Sequence, residues 1–198
     1  CFYFFIFLKF SRPIITIKIQ NIMVSSHDFF KDKRNNNVKI YINGKFYKRN
    51  EAKISVFDSS VLLGDGVWDS LRYHDDKFIF LKEHLDRLYK DAKLIDLKIH
   101  LSRKKLSEAL TKTIKINKMK TDVHIRLVIS RGIKSTPYQD PAFTISKPTI
   151  VIIPEYKQPQ ESVYKRGLIL KTVKTIRGPH NVQDPRINSL SKLNCIIA

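Results

Sequence analysis

The dipeptide Asn43-Gly44 separates two short runs, "VKIYI" and "KFYKR", in which apolar and polar residues alternate. Asn-Gly at such a point supplies the two positive-φ residues of a tight turn, so residues 38–49 are expected to form an antiparallel hairpin. That hairpin commits the chain to an antiparallel sheet, and three later runs offer further strands. "DVHIRLVISRG" puts Val123, Ile125, Leu127 and Ile129 on one face and His124, Arg126 and Val128 on the other. The run from Val67 to Tyr73 sets Trp68, Ser70 and Arg72 against Val67, Asp69, Leu71 and Tyr73, then leads through Asp75-Asp76 into "KFIFL". "TIVIIPEY" reads as a further buried strand.

Two helices interrupt the strands. Leu81, Leu85, Leu88, Ala92 and Ile95 recur at helical spacing, which gives an amphipathic helix with one apolar stripe. Ser102 is placed to cap a second helix carrying Leu106, Ala109, Leu110, Thr113 and Ile114, with Asn117 at its end. The expected class is therefore α+β. A complete small N-terminal domain is expected over residues 38–156 and a linker over 157–167. Residues 168–198 would begin a larger, truncated second domain, with "LILKTVKTIR" as a strand, "GPHNVQDPR" as a loop and "SLSKLNCIIA" as a helix start.

Residues 1–37 are expected to be a leader, disordered or derived from upstream of the natural start. The first residue is Cys1, the first methionine is Met23, and no acidic residue precedes it. The apolar run over residues 1–8 is too short to span a bilayer, so no membrane association is expected. The two cysteines, Cys1 and Cys195, form neither a disulfide framework nor a zinc pattern. The formal charge of +19 would suit a nucleic-acid partner. However, the lysines are spread along the chain with no aromatic-interleaved patch, and no nucleic-acid partner is expected. A basic nucleic-acid-binding module stays as the distant alternative.

On residue chemistry alone, Arg126 sits mid-strand opposite an apolar face. It must meet either water or an anion, because a buried guanidinium without a partner is very costly. Arg72 shares a strand face with Trp68, where stacking is an alternative to ligand binding. Arg87 lies one position before the stripe residue Leu88, where a solvated helix cation is the simpler reading. Lys192 is the only lysine from "HNVQDPR" onward.

Taken in order, the hairpin, "AKISVFDSSVLLGDGVWDSLR", "FIFLKEHLDRLYKDAKLI" and "VHIRLVISRG" resemble the class IV aminotransferases. These are the pyridoxal 5'-phosphate enzymes of fold type IV, which include branched-chain and D-amino-acid aminotransferases and aminodeoxychorismate lyase. The resemblance runs from about Val38 to the C-terminus and is closest to the branched-chain type. It implies a two-domain D-amino-acid aminotransferase-like fold, pyridoxal 5'-phosphate as cofactor, and an amino acid and a 2-oxo acid as substrates. It also implies a homodimer for the full-length protein, in the cytoplasm unless the acid-free leader directs organellar import.

Residue by residue, the resemblance makes Arg87 the holder of the cofactor phosphate and Trp68 and Arg72 the lining of the substrate pocket. Arg126 would bind a substrate carboxylate. Lys192 would be catalytic, as both the covalent cofactor anchor and the general base. The family usually has Phe and Glu where this chain has Trp68 and Asp69, and tyrosine is common at the place of His124. The arginine–histidine pair of the D-amino-acid enzymes is missing from "GIKSTPYQDPAF", which points away from that subclass. Three alternatives stay open. The reaction could be a lyase reaction of the same fold. Aligning "INSLS" with the family's I-K-S-L-N would put Asn188 at the lysine position and make the protein a non-catalytic relative. A different gap would put Arg186 there.

Overall fold

The computed structural model describes residues 32–198 apart from 159, 169 and 177. Asn43 and Gly44 take φ of 47° and 92° and join β1 (Lys39–Ile42) to β2 (Lys45–Lys48), as the dipeptide requires. Asp75 and Asp76 do the same at φ of 47° and 57° between β3 (Gly66–His74) and β4 (Lys77–Ile79). With β5 (Val123–Ser130) and β6 (Thr149–Tyr156) these form a six-stranded sheet in the order β2-β1-β6-β5-β3-β4. Every neighbouring pair is antiparallel. β5 pairs with β3 on one side and with β6 on the other, so its apolar side chains have neighbours on both flanks.

One face of the sheet is covered by α2 (Leu81–Leu94) and α3 (Arg103–Ile116). The core forms where Leu85, Leu88 and Ala92 of α2 and Leu106, Leu110 and Ile114 of α3 meet Val67, Leu71, Val123, Ile125, Leu127, Ile129, Ile150 and Ile152. Both expected helix ends are present. The Ser102 side chain accepts from the Lys105 N–H, and Asn117 closes α3. Asn117 also donates to the Lys39 carbonyl at 2.9 Å and accepts from its N–H at 2.6 Å, which ties the helix end to β1.

Four boundaries differ from the sequence reading. Described structure begins at Asp32, not Val38: residues 33–37 make a 3-10 turn, and the Asn35 amide pairs in both directions with the Tyr156 backbone. Of the leader expected over residues 1–37, residues 1–31 lie outside the described residues. A short helix, α1 (Ser59–Leu63), was not anticipated; Asp58 accepts from the Ser60 N–H at its start, and Gly64 ends it at φ 65°. The expected linker contains α4 (Glu161–Arg166), and "LILKTVKTIR" forms no strand among the described residues. The final segment holds α5 (Leu193–Ile197), with Lys192 as the residue before its first turn. No helix among the described residues is long and apolar enough to cross a membrane.

Candidate active site

Alternation along β3 sends two neighbouring residues to opposite sides of the sheet. Asp69 points with Val67 and Leu71 towards the helices and is only 1% exposed. A carboxylate buried this deeply needs donors, and it has several. Arg87, one turn below Asp91 on α2, donates from Nε to Asp69 Oδ2 at 2.9 Å and from Nη2 to Oδ1 at 2.8 Å. The Ser70 N–H donates to Oδ1 at 2.7 Å, and His84 Nδ1 lies 2.9 Å from the same oxygen. The fork-to-fork pair with Asp69 raises the Arg87 pKa above its ordinary value. Sequence reasoning singled out Arg87 and missed Asp69 and His84. A signal existed: Asp69 interrupts the apolar face Val67, Leu71, Tyr73, and such a residue requires a cationic partner.

The opposite face carries Trp68, Ser70 and Arg72 of β3 beside Val128, Arg126 and His124 of β5. The Arg126 guanidinium stacks on the Trp68 indole, 3.8 Å from the ring centroid. Lys192 Nζ lies 5.6 Å from the same centroid. Burial pushes the Arg126 pKa down, partly offset by the charge of Asp69. Arg72 is engaged elsewhere: it donates to the Lys157 carbonyl, and its Nη2 is 3.3 Å from Asp122 Oδ1. Thus Trp68, Arg126 and Lys192 converge, whereas Arg72 is tied to the far end of the strand and Arg87 works on the helix side.

Residues 187–190 join this arrangement along the edge of β3 that β4 leaves open. The Trp68 N–H donates to the Asn188 carbonyl at 2.9 Å, and the Leu190 N–H donates to the Gly66 carbonyl at 3.0 Å. Val67 bridges Ser189, so in antiparallel register Asn188 stands opposite Trp68 on the same face. The segment is held further by the Trp68 indole N–H on the Ser189 carbonyl and by the Asn188 N–H on Asp91 Oδ2, both at 3.0 Å. Gly66 is required here, because a Cβ would fall 2.5 Å from the Ile129 carbonyl oxygen and 2.7 Å from Leu190 Cδ1. Past this edge, Lys192 lines a cleft of about 370 Å³ together with Gln183, Asp184 and Ile197. The role of Asn188 as an edge residue was not legible in the sequence, since no strand pattern surrounds it.

His124 gives the face a pH dependence. Burial first, then the charges of Lys157 and Arg126, holds its pKa below the ordinary value of about 6.5. The unfolded chain therefore binds a proton at a higher pH than the folded one. Stability is full above about pH 6.5 and is lost as the pH falls towards the lowered folded pKa. Melting temperature is expected to decline on acidification through pH 6, with a shallower decline in His124→Gln. An unchanged slope in that variant would rule out His124 as a source.

The model of the family described as "Amino-transferase class IV" matches residues 66–198. The chain belongs to the class IV aminotransferases. A putative branched-chain-amino-acid aminotransferase of Methanocaldococcus jannaschii is 38% identical over 161 residues, covering 81% of this chain and 54% of that protein. A D-alanine aminotransferase of Staphylococcus haemolyticus is 27% identical over 139 residues, covering 70% and 49%. Among solved structures, a "T.th." branched-chain amino acid aminotransferase, complexed with N-(5'-phosphopyridoxyl)-L-glutamate, matches with a TM-score of 0.70 at 25% identity. That match covers 82% of this chain and 53% of the other. The chain thus spans about half the length of these class IV relatives. The expected α+β, fold type IV architecture agrees with this likeness.

Proposed function

We propose that the full-length protein is a pyridoxal 5'-phosphate-dependent aminotransferase that moves an amino group between an amino acid and a 2-oxo acid. The amino acid is of branched-chain or other apolar type, and the working form is a homodimer. The observation that carries this reading is the gathering of an amine, Lys192, and a guanidinium, Arg126, around one indole. The residues present suit the cofactor and substrate in kind. Arg87 keeps its Nη1 edge outside the pair with Asp69, where a phosphate could be held. Arg126 is a half-buried cation with no carboxylate hydrogen-bonded to it among the described residues, which suits a substrate carboxylate. Trp68 offers an apolar wall, which favours an apolar side chain, and Arg72 flanks the same face. When bound, the cofactor supplies the electron sink that stabilises negative charge at the substrate Cα. In this proposal Lys192 Nζ removes and returns the Cα proton, while Arg126 fixes the direction of the Cα–H bond. Relatives named as branched-chain aminotransferases support the substrate class.

A second reading, a non-catalytic relative, is favoured by Asn188. This residue is opposite Trp68 and has both backbone groups bonded, its carbonyl to β3 and its N–H to α2. It is therefore a fixed position at which a lysine could have served, and it carries an amide. Borohydride reduction of the full-length protein after incubation with pyridoxal 5'-phosphate, followed by peptide mapping, separates the two. A modified Lys192 is the expected result; protein with no modified lysine supports the second reading.

A further inference from the structure

We propose that Asp69 is a positioning residue that sets the guanidinium of Arg87 for an incoming phosphate. The proposal rests on the reading that Arg87 receives the cofactor phosphate, and it adds the residue that makes Arg87 a fixed receptor.

The Arg87 side chain is 48% exposed, and a lone arginine with that much access to water would sample many rotamers. Asp69 removes that freedom. Its carboxylate sits on β3, which is paired on both sides at this level: with Leu127 of β5 and, at the adjacent residue Trp68, with Asn188. Oδ1 is additionally held by the Ser70 N–H, so the acid cannot rotate without breaking a 2.7 Å bond. Against this fixed carboxylate, Arg87 spends the Nε–Nη2 edge of its fork, which defines the plane of the guanidinium. Nη1 makes no hydrogen bond among the described residues and is the edge left for a second anion. His84, one turn before Arg87, buttresses the pair. Its Nδ1 lies 2.9 Å from Asp69 Oδ1 and 2.9 Å from Arg87 Nη2, so it donates to the carboxylate or accepts from the guanidinium according to its tautomer.

A buried ion pair that served packing alone would need no orientation of its outward edge. A positioning role predicts a selective effect on ligands that carry a phosphate. The test compares binding of pyridoxal 5'-phosphate and of pyridoxal, which lacks the phosphate, by equilibrium dialysis with the full-length protein. Wild type is expected to prefer the phosphorylated form, and Arg87→Gln to lose most of that preference. Asp69→Asn is expected to lower the ratio of the two affinities about tenfold, the size of one charge-assisted hydrogen bond. In the Arg87→Gln background the same change should alter the ratio little. Asp69→Glu keeps the charge but shifts the fork by a methylene; it should lower the ratio about threefold, and it carries the test if the Asn variant does not fold. Equal losses for both ligands, or an unchanged ratio, would overturn the positioning role. A wild type that does not distinguish the two ligands would overturn the reading of Arg87 itself, and the proposal with it.

Discussion

Lys192→Ala is expected to lower transamination by the full-length protein about 10³-fold, within the range for removing a positioned general base. Under the proposed function this lysine removes and returns the Cα proton, and no other lysine lies in the segment from His180 to Ala198. The variant should keep its fold: Lys192 precedes a helix of only five residues, and the residues around it at the end of the chain are largely exposed. Melting temperature therefore serves as the control. Full activity in Lys192→Ala would remove Lys192 from the chemistry. The companion variant Asn188→Lys then decides the other reading. Its amine would start from a backbone held on both sides, opposite Trp68. If the protein is a non-catalytic relative, this change should create a lysine that borohydride fixes to added pyridoxal 5'-phosphate, where wild type has none.

Arg87→Ala is expected to destabilise the protein by about 2–3 kcal/mol, read from urea unfolding midpoints. The source of the effect is Asp69, which stays buried at 1% exposure after its main cationic partner is gone. The figure lies below the usual cost of breaking a buried pair because His84 and the Ser70 N–H remain. The reverse change should behave differently. In Asp69→Asn the partly exposed Arg87 can turn to water, so the loss should be about 1 kcal/mol. Equal losses in the two variants would contradict the idea that the carboxylate is the buried, dependent member of the pair.

How far the chain could be read in advance follows from where each signal resides. The Asn43-Gly44 hairpin, the α2 stripe and the β5 alternation were legible because each depends on residues close in sequence. The strand expected over "LILKTVKTIR" is not formed among the described residues, for the complementary reason. Leu170 and Ile176 are 87% and 84% exposed, and alternation produces a strand only where a partner edge is available. α1 was missed although Asp58 and Gly64 bracket it as cap and stop, because five residues are too few to show helical periodicity. In the candidate site, Arg87, Trp68, Arg72, Arg126 and Lys192 came from resemblance. Asp69 left a signal as the acid that interrupts an apolar face and Asn188 stood as an alternative lysine position, but the contacts of both lie on other elements and were not legible locally. The buried pair of Asp69 with Arg87 spans 18 residues, and the Asn188 N–H reaches back 97 residues to Asp91.

The strip formed by residues 187–190 also bears on how the protein is made. Trp68 and Ser189 are 121 residues apart. At a synthesis rate of about 5–20 residues per second, the ribosome needs roughly 6–24 s after finishing Trp68 before Ser189 exists. From the completion of β6 until Ser189 emerges, the Gly66–Trp68 stretch of β3 is paired with β5 on one side only, and its outer edge, where Asn188 and Leu190 later bond, has no cis partner. A nascent chain paused between these points would offer unpaired amides beside a formed core, a target for chaperone capture or for mispairing with a neighbour on the same polysome.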